Sequence, residues 1–188
     1  MKENLKPDTA LAPVPVVLVS CGEKEKANIT TIAWTGIINS EPPLLYVSIR
    51  RTRYSYDIIK ERKEFALNIP DIHLIWETDY CGTRSGKEMD KFEVCGFTKE
   101  ECKSIQAPGI RECPITIECK LKEIKPLGSH DMFIAEVVGV NCDNKYLTKE
   151  GKIDYANMNL LTYMGSAYYA SGKPVGKRGL CLQQEKNS

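Results

Sequence analysis

Two strand-forming runs, a double proline between them and an arginine cluster after them set the terms on which this chain can fold. They lie in one stretch, 28–59. Ile29-Thr30-Thr31-Ile32 is β-branched throughout and predicts a strand. Trp34, Thr35 and Gly36 follow, and Gly36 permits a close backbone approach that a side chain would block. Pro42-Pro43 turns the chain, and Leu44 to Ile49 predicts a second strand. Arg50-Arg51-Thr52-Arg53 then stands at the mouth of a helix predicted from Tyr54 to Arg62.

That junction has a chemical meaning. The first turn of a helix leaves backbone N–H groups unpaired and carries partial positive charge. With Arg50, Arg51, Arg53, the hydroxyls of Ser48, Thr52 and Ser55, and the phenol of Tyr54, it can cradle a phosphate. The same residues would also serve as a solvated basic turn, and short motifs recur by accident.

The rest of the chain reads as more strands with short helices. Val14 to Val19 predicts a buried strand, and Phe65 to Ile69 another, closed by Pro70. Residues 72–81 read as helical, with Ile72, Ile75 and Trp76 on one face. Gly82 to Arg111 is loop-rich, with a helical piece near Asp90 to Val94. Pro114 to Lys125 alternates, placing Ile115, Ile117, Cys119 and Leu121 together. Met132 to Val140 is the next strand, and the short turn from Pro126 to Asp131 makes the two an antiparallel pair. Residues 146–162 have no clear pattern, and the segment after Gly165 reads as a Gly- and Tyr-rich tail ending in an unstructured run, 183–188. Many short strands with two or three short helices predict a mainly β fold, a β-barrel with helical additions. At 188 residues one domain is the simplest organisation, with a core of about 10–180.

Charge narrows the partners. With 26 basic and 25 acidic side chains the net charge is +1, which argues against a general nucleic-acid binder. No apolar run is long enough to cross a bilayer, and the start of the chain lacks the basic, unbroken apolar character of an export signal. The eight cysteines include no C-x-x-C pair, so no metal-site or thioredoxin spacing is present. They read as reduced thiols of a cytoplasmic protein, several of them core fillers, with a redox role as the minor alternative. No G-x-G-x-x-G follows a strand, so a Rossmann dinucleotide site is absent.

The pattern N-x-T-T-x-A-W, then P-P-L-x-x-V-S-I-R-x-x-R-Y-S-Y-D-x-I, resembles the flavin reductase-like family and its flavoredoxin-type branch. Further matches are Glu64 to Pro70, Ser85-Gly86-Lys87 with Asp90-Lys91-Phe92, Gly128-Ser129-His130-Asp131, and Gly172 to Gly176. The resemblance implies an FMN-binding split β-barrel, a homodimer, and non-covalent FMN. It places the phosphate on Ser48, Arg53, Tyr54, Ser55 and Lys91, with one of Arg50 and Arg51 an ordinary surface charge because adjacent strand residues point oppositely. It places the isoalloxazine ring on the run Asn28, Thr30, Thr31, Ile32, Ala33, Trp34 and Thr35, largely through backbone groups. His130 is the candidate to contact a nicotinamide or tune the ring, while His73, Asn68 and Asp90 read as structural. The implied activity is NAD(P)H-dependent reduction of flavin, ferric chelates or a protein acceptor. The alternative is a flavoredoxin-like electron carrier reduced by a redox protein partner.

Overall fold

The computed structural model describes residues 1–181; the polar run 183–188 lies outside them. In chain order the strands are β1 (Val14–Pro15), β2 (Val17–Cys21), β3 (Asn28–Ile32), β4 (Thr35–Ser40) and β5 (Pro43–Ile49). Helix α1 (Tyr54–Arg62), β6 (Glu64–Ile69), α2 (Ile75–Thr83) and α3 (Lys91–Val94) follow. The short β7 (Lys99–Glu100) and β8 (Gly109–Ile110) pair with each other, and β9 (Ile115–Pro126) and β10 (Asp131–Cys142) are the long strands. The last two are β11 (Leu161–Met164) and β12 (Ala167–Ala170).

Seven strands form one antiparallel sheet in the order β3-β2-β6-β9-β10-β5-β4. Its two edge strands, β3 and β4, are consecutive in sequence, joined only by Ala33 and Trp34. Three chain steps from Ile32 to Thr35 reach at most about 11 Å. The two edges of the sheet must therefore meet, and the sheet curls into a barrel. Ser48 N donates to Trp34 O at 2.9 Å, so the β4–β5 ladder runs on into that short connection. β1, β11 and β12 make a separate three-stranded sheet.

The barrel interior is filled by Val17, Val19, Val47, Ile49, Phe65 and Phe133. A second apolar cluster packs outside the barrel: Leu18, Ile29, Cys81, Phe92 and Ile110, between the sheet and the α2–α3 segment. β2 feeds both clusters, which is why its apolar run does not alternate with polar residues. Fully burying each large side chain contributes about 1.5–3 kcal/mol. Asn68, fully buried, donates from Nδ2 to Leu18 O and Ser20 Oγ. Its Oδ1 accepts from Ile110 N and the Thr116 hydroxyl, so this one amide clamps β2, β8 and β9.

Four expectations change. The single strand over Val14 to Val19 is two, β1 in the three-stranded sheet and β2 in the seven-stranded one. The helix over 72–81 is a 3₁₀ turn, Ile72–Leu74, followed by α2. Ile75 and Trp76 are exposed, at 45% and 57%, and α2 buries Thr78 and Cys81 instead. The supposed tail after Gly165 holds β12, paired with β11 across Tyr163↔Tyr168. Among the described residues no helix is long and apolar enough to cross a membrane.

Candidate functional site

The seam where the barrel closes is also where the charged junction lies. α1 begins after Arg53, whose backbone is extended and whose side chain makes no capping hydrogen bond. Its N-terminus instead opens on a cavity of about 300 Å³. Arg50, Arg53, Arg84 and Lys91 line this cavity together with Thr52, Tyr54, Ser55, Thr83, Ser85 and Gly86, and among the described residues no carboxylate does. Four cationic side chains, several hydroxyls and a helix N-terminus without an acid among them make an anion site.

Each part is held by local structure. Asn28 Nδ2 donates to Ser55 Oγ at 2.7 Å, joining β3 to the first turn of α1. Lys91 is 3% exposed, and its ammonium donates to Ile29 O and Cys81 O, both at 2.8 Å. An ammonium has three N–H groups, so one remains for a ligand in the cavity. Burial lowers the Lys91 pKa from its ordinary value, and the charge of Arg53 adds to this. Asp90 caps α3 by accepting from Phe92 N and Glu93 N, which fixes where Lys91 starts. Gly86 is the close-approach point: a Cβ there would overlap the Asn28 carboxamide.

A second cavity, about 350 Å³, adjoins the first and shares Thr30, Arg50 and Arg53 with it. Thr31, Ile32, Ala33, Trp34, Ser48, Ile49, His130 and Tyr163 complete its lining. Trp34 and His130 face each other with ring centroids 4.5 Å apart and planes tilted by 44°. Burial, with the charges of Arg50 and Arg53, lowers the His130 pKa below its ordinary value, which favours the neutral ring. Ser129 Oγ engages His130 Nδ1 at 3.0 Å, leaving Nε2 for another partner.

The two neighbouring arginines part ways. Arg50 lines both cavities, whereas Arg51 turns to Asp131, with Nε at 2.9 Å and Nη2 at 3.2 Å from its two carboxylate oxygens. Tyr56 OH donates to the same carboxylate at 2.6 Å. Arg51 first and Tyr56 second hold the Asp131 pKa below the usual carboxylate value. Arg51 is therefore no idle surface charge; it ties the start of β10, and with it the His130 turn, to the mouth of α1.

Most of the sequence-derived residues meet here. Asn28, Thr30, Arg50, Arg53, Tyr54, Ser55 and Lys91 line the anion cavity. Ser48 departs from its expected place: it lines the second cavity with Ile32, Ala33, Trp34 and His130, not the first. Thr31 reaches the second cavity, although its hydroxyl is engaged by Thr78 O. Thr35 lines neither; its hydroxyl donates to Tyr46 O within the β4–β5 pair. Thr52, named in the sequence-derived cradle, lines the anion cavity as expected, whereas sequence reasoning missed Thr83, Arg84 and Tyr163. Ser85 and Gly86 carried a signal, since they belong to a quoted motif. Tyr163 carried none, lying beyond a segment with no readable pattern.

Residues 10–172 match the family described as flavin reductase like domain. The chain is similar to the solved flavoredoxin of Desulfovibrio vulgaris (Miyazaki F), at 32% identity and TM-score 0.89, covering 97% of this chain and all of that one. Flavoredoxin from Methanosarcina acetivorans follows at 29% identity and TM-score 0.86, covering 96% and 100%. An FMN-binding protein from Thermus thermophilus shares the fold at 21% identity, with TM-score 0.80 over 94% of this chain and 97% of that one. The architecture is the split β-barrel with short added helices that the sequence implied.

Proposed function

Because the chain belongs to the flavin reductase-like family, we propose that it is an FMN-binding oxidoreductase that takes hydride from NAD(P)H. One observation carries this: an anion cavity with four cations at an uncapped helix start shares Thr30, Arg50 and Arg53 with a second cavity walled by Trp34 and His130. The donor set fits a phosphate monoester, and the adjoining space fits an aromatic ring system.

In this reading Arg53, Lys91, Ser55 and the N–H groups of α1 hold the phosphate, with Arg50 and Arg84 adding charge. The β3 segment from Thr30 to Trp34 supports the ring through its backbone. Bound FMN would supply the two-electron chemistry. The chain's own work is to anchor, to orient and to shield one face from water, and no acid–base triad is required. His130, beside Trp34 and favoured in its neutral form, is the group to orient a nicotinamide by a hydrogen bond.

The likeness to two flavoredoxins favours a second reading, an electron carrier reduced by another protein. Purified protein, denatured and extracted, is expected to release FMN stoichiometrically. A colourless protein that also takes up no added FMN would remove both readings.

His130→Ala is expected to retain FMN and to slow its reduction by NAD(P)H about tenfold, the effect of ~1.4 kcal/mol in the barrier. Anaerobic stopped-flow mixing reads it. An unchanged rate would return His130 to a purely structural role, and no reduction even of the unaltered protein would favour the carrier.

A further inference from the structure

Two of the eight cysteines touch. The Sγ atoms of Cys81 and Cys95 lie 3.8 Å apart. Cys81 is fully buried on α2, and Cys95 is the half-buried residue that caps α3. Leu74, Phe92 and Phe97 belong to the apolar cluster that holds both.

Their environments differ in a way that suits exchange chemistry. Burial pushes most of the thiols up, Cys21 to about 12 and Cys102 to about 11. Cys95 goes the other way: the hydrogen bond from Cys81 lowers its pKa, and the Lys91 ammonium helps. The half-buried cysteine is thus the one favoured as thiolate, while the hydrogen bond with Cys95 and burial raise the enclosed Cys81, whose sulfur lies against it in position to resolve a mixed disulfide.

We infer that Cys81 and Cys95 form a redox-active dithiol that closes reversibly to a disulfide with a low-molecular-weight disulfide as oxidant. The Cys95 thiolate attacks one sulfur of the reagent. The reagent's S–S bond breaks, a mixed disulfide forms, and the departing thiolate takes up a proton. Cys81 then gives up its proton and attacks the Cys95 sulfur, expelling the second reagent thiolate. Two electrons pass from the cysteine sulfurs to the reagent, which ends as two thiols. The sulfurs must close from 3.8 Å to about 2.05 Å. Cys95 stands at the end of a four-residue helix and before Gly96, whose φ is 65°, where a glycine leaves the backbone room to adjust.

The place gives the pair meaning. The carbonyl of Cys81 accepts from the Lys91 ammonium at 2.8 Å, so the dithiol lies one hydrogen bond from the anion cavity.

The test treats the folded full-length protein with glutathione disulfide, blocks remaining thiols and maps peptides without reduction. A link between the peptides of Cys81 and Cys95, lost after dithiothreitol, is expected. Cys81→Ser should instead accumulate glutathione on Cys95, while Cys113→Ser should leave the link intact. Cys113 is the control because it shares the cluster. A link through Cys113, or no 81–95 link at any glutathione ratio, would overturn the inference. The map reports on sulfur alone, so it holds whether or not the flavin reading survives.

Discussion

Lys91→Met is expected to weaken FMN about ten- to hundredfold and to lower the melting temperature of the flavin-free protein. The ammonium is buried and already engaged by Ile29 O and Cys81 O. One charge-assisted contact to a phosphate contributes roughly 1.5–3 kcal/mol. Removing the ammonium also strands two carbonyls, at about 1–3 kcal/mol each. The stability loss and the affinity loss therefore have separate causes and separate readouts, calorimetry and flavin titration. The pH dependence has a definite sign. Burial lowers the Lys91 pKa, so as pH rises this ammonium is lost sooner than an ordinary lysine's. FMN affinity should fall on the alkaline side, and Lys91→Met should remove that limb. An affinity that matches the unaltered protein across pH would place Lys91 outside the anion site.

Gly86→Ala is expected to reduce FMN affinity about five- to hundredfold, the range of roughly 1–3 kcal/mol for overpacking a filled site. The added Cβ would overlap Asn28 Oδ1 and lie 3.1 Å from Tyr54 Cδ1. Asn28 cannot retreat freely because its Nδ2 holds Ser55 Oγ at the start of α1. The disturbance therefore reaches the helix mouth directly. Gly172→Ala is the control, since among the described residues nothing lies within 4 Å of a Cβ there. Equal FMN affinity in both variants would mean that the Thr83 to Gly86 wall takes no part in binding.

The half of the site that is contiguous in sequence was legible. β3, β5 and α1 follow from β-branched runs, a double proline and a helix start, and α1 spans Tyr54 to Arg62 as the pattern requires. The β9–β10 pair follows from the short turn between them, with Asp131 opposite Pro126. The opposite wall was not legible as a contact, because Arg84 and Thr83 reach the cavity only through the packing of α2 on β3. Thr31 and Cys81 anchor that packing, one by a hydroxyl to Thr78 O and the other in the apolar cluster. Alternation along β9 also hid a buried charge. Glu118 is 1% exposed, and its carboxylate accepts from Lys103 N, Ser104 N and Asn141 Nδ2, which pins the loop before β8. Periodicity marks apolar faces and is silent about a carboxylate satisfied by a distant loop. Arg51 shows the same limit: its partner Asp131 lies 80 residues away.

The most direct measurement compares FMN with riboflavin on the unaltered protein and on Arg53→Ala. The two ligands share the ring and differ by the phosphate. Arg53 lines both cavities at the start of α1. If the phosphate sits there, FMN affinity should fall by roughly 1.5–3 kcal/mol, about ten- to hundredfold, while riboflavin affinity barely changes. An equal loss for both ligands, or none for either, would contradict a phosphate cradle at this helix.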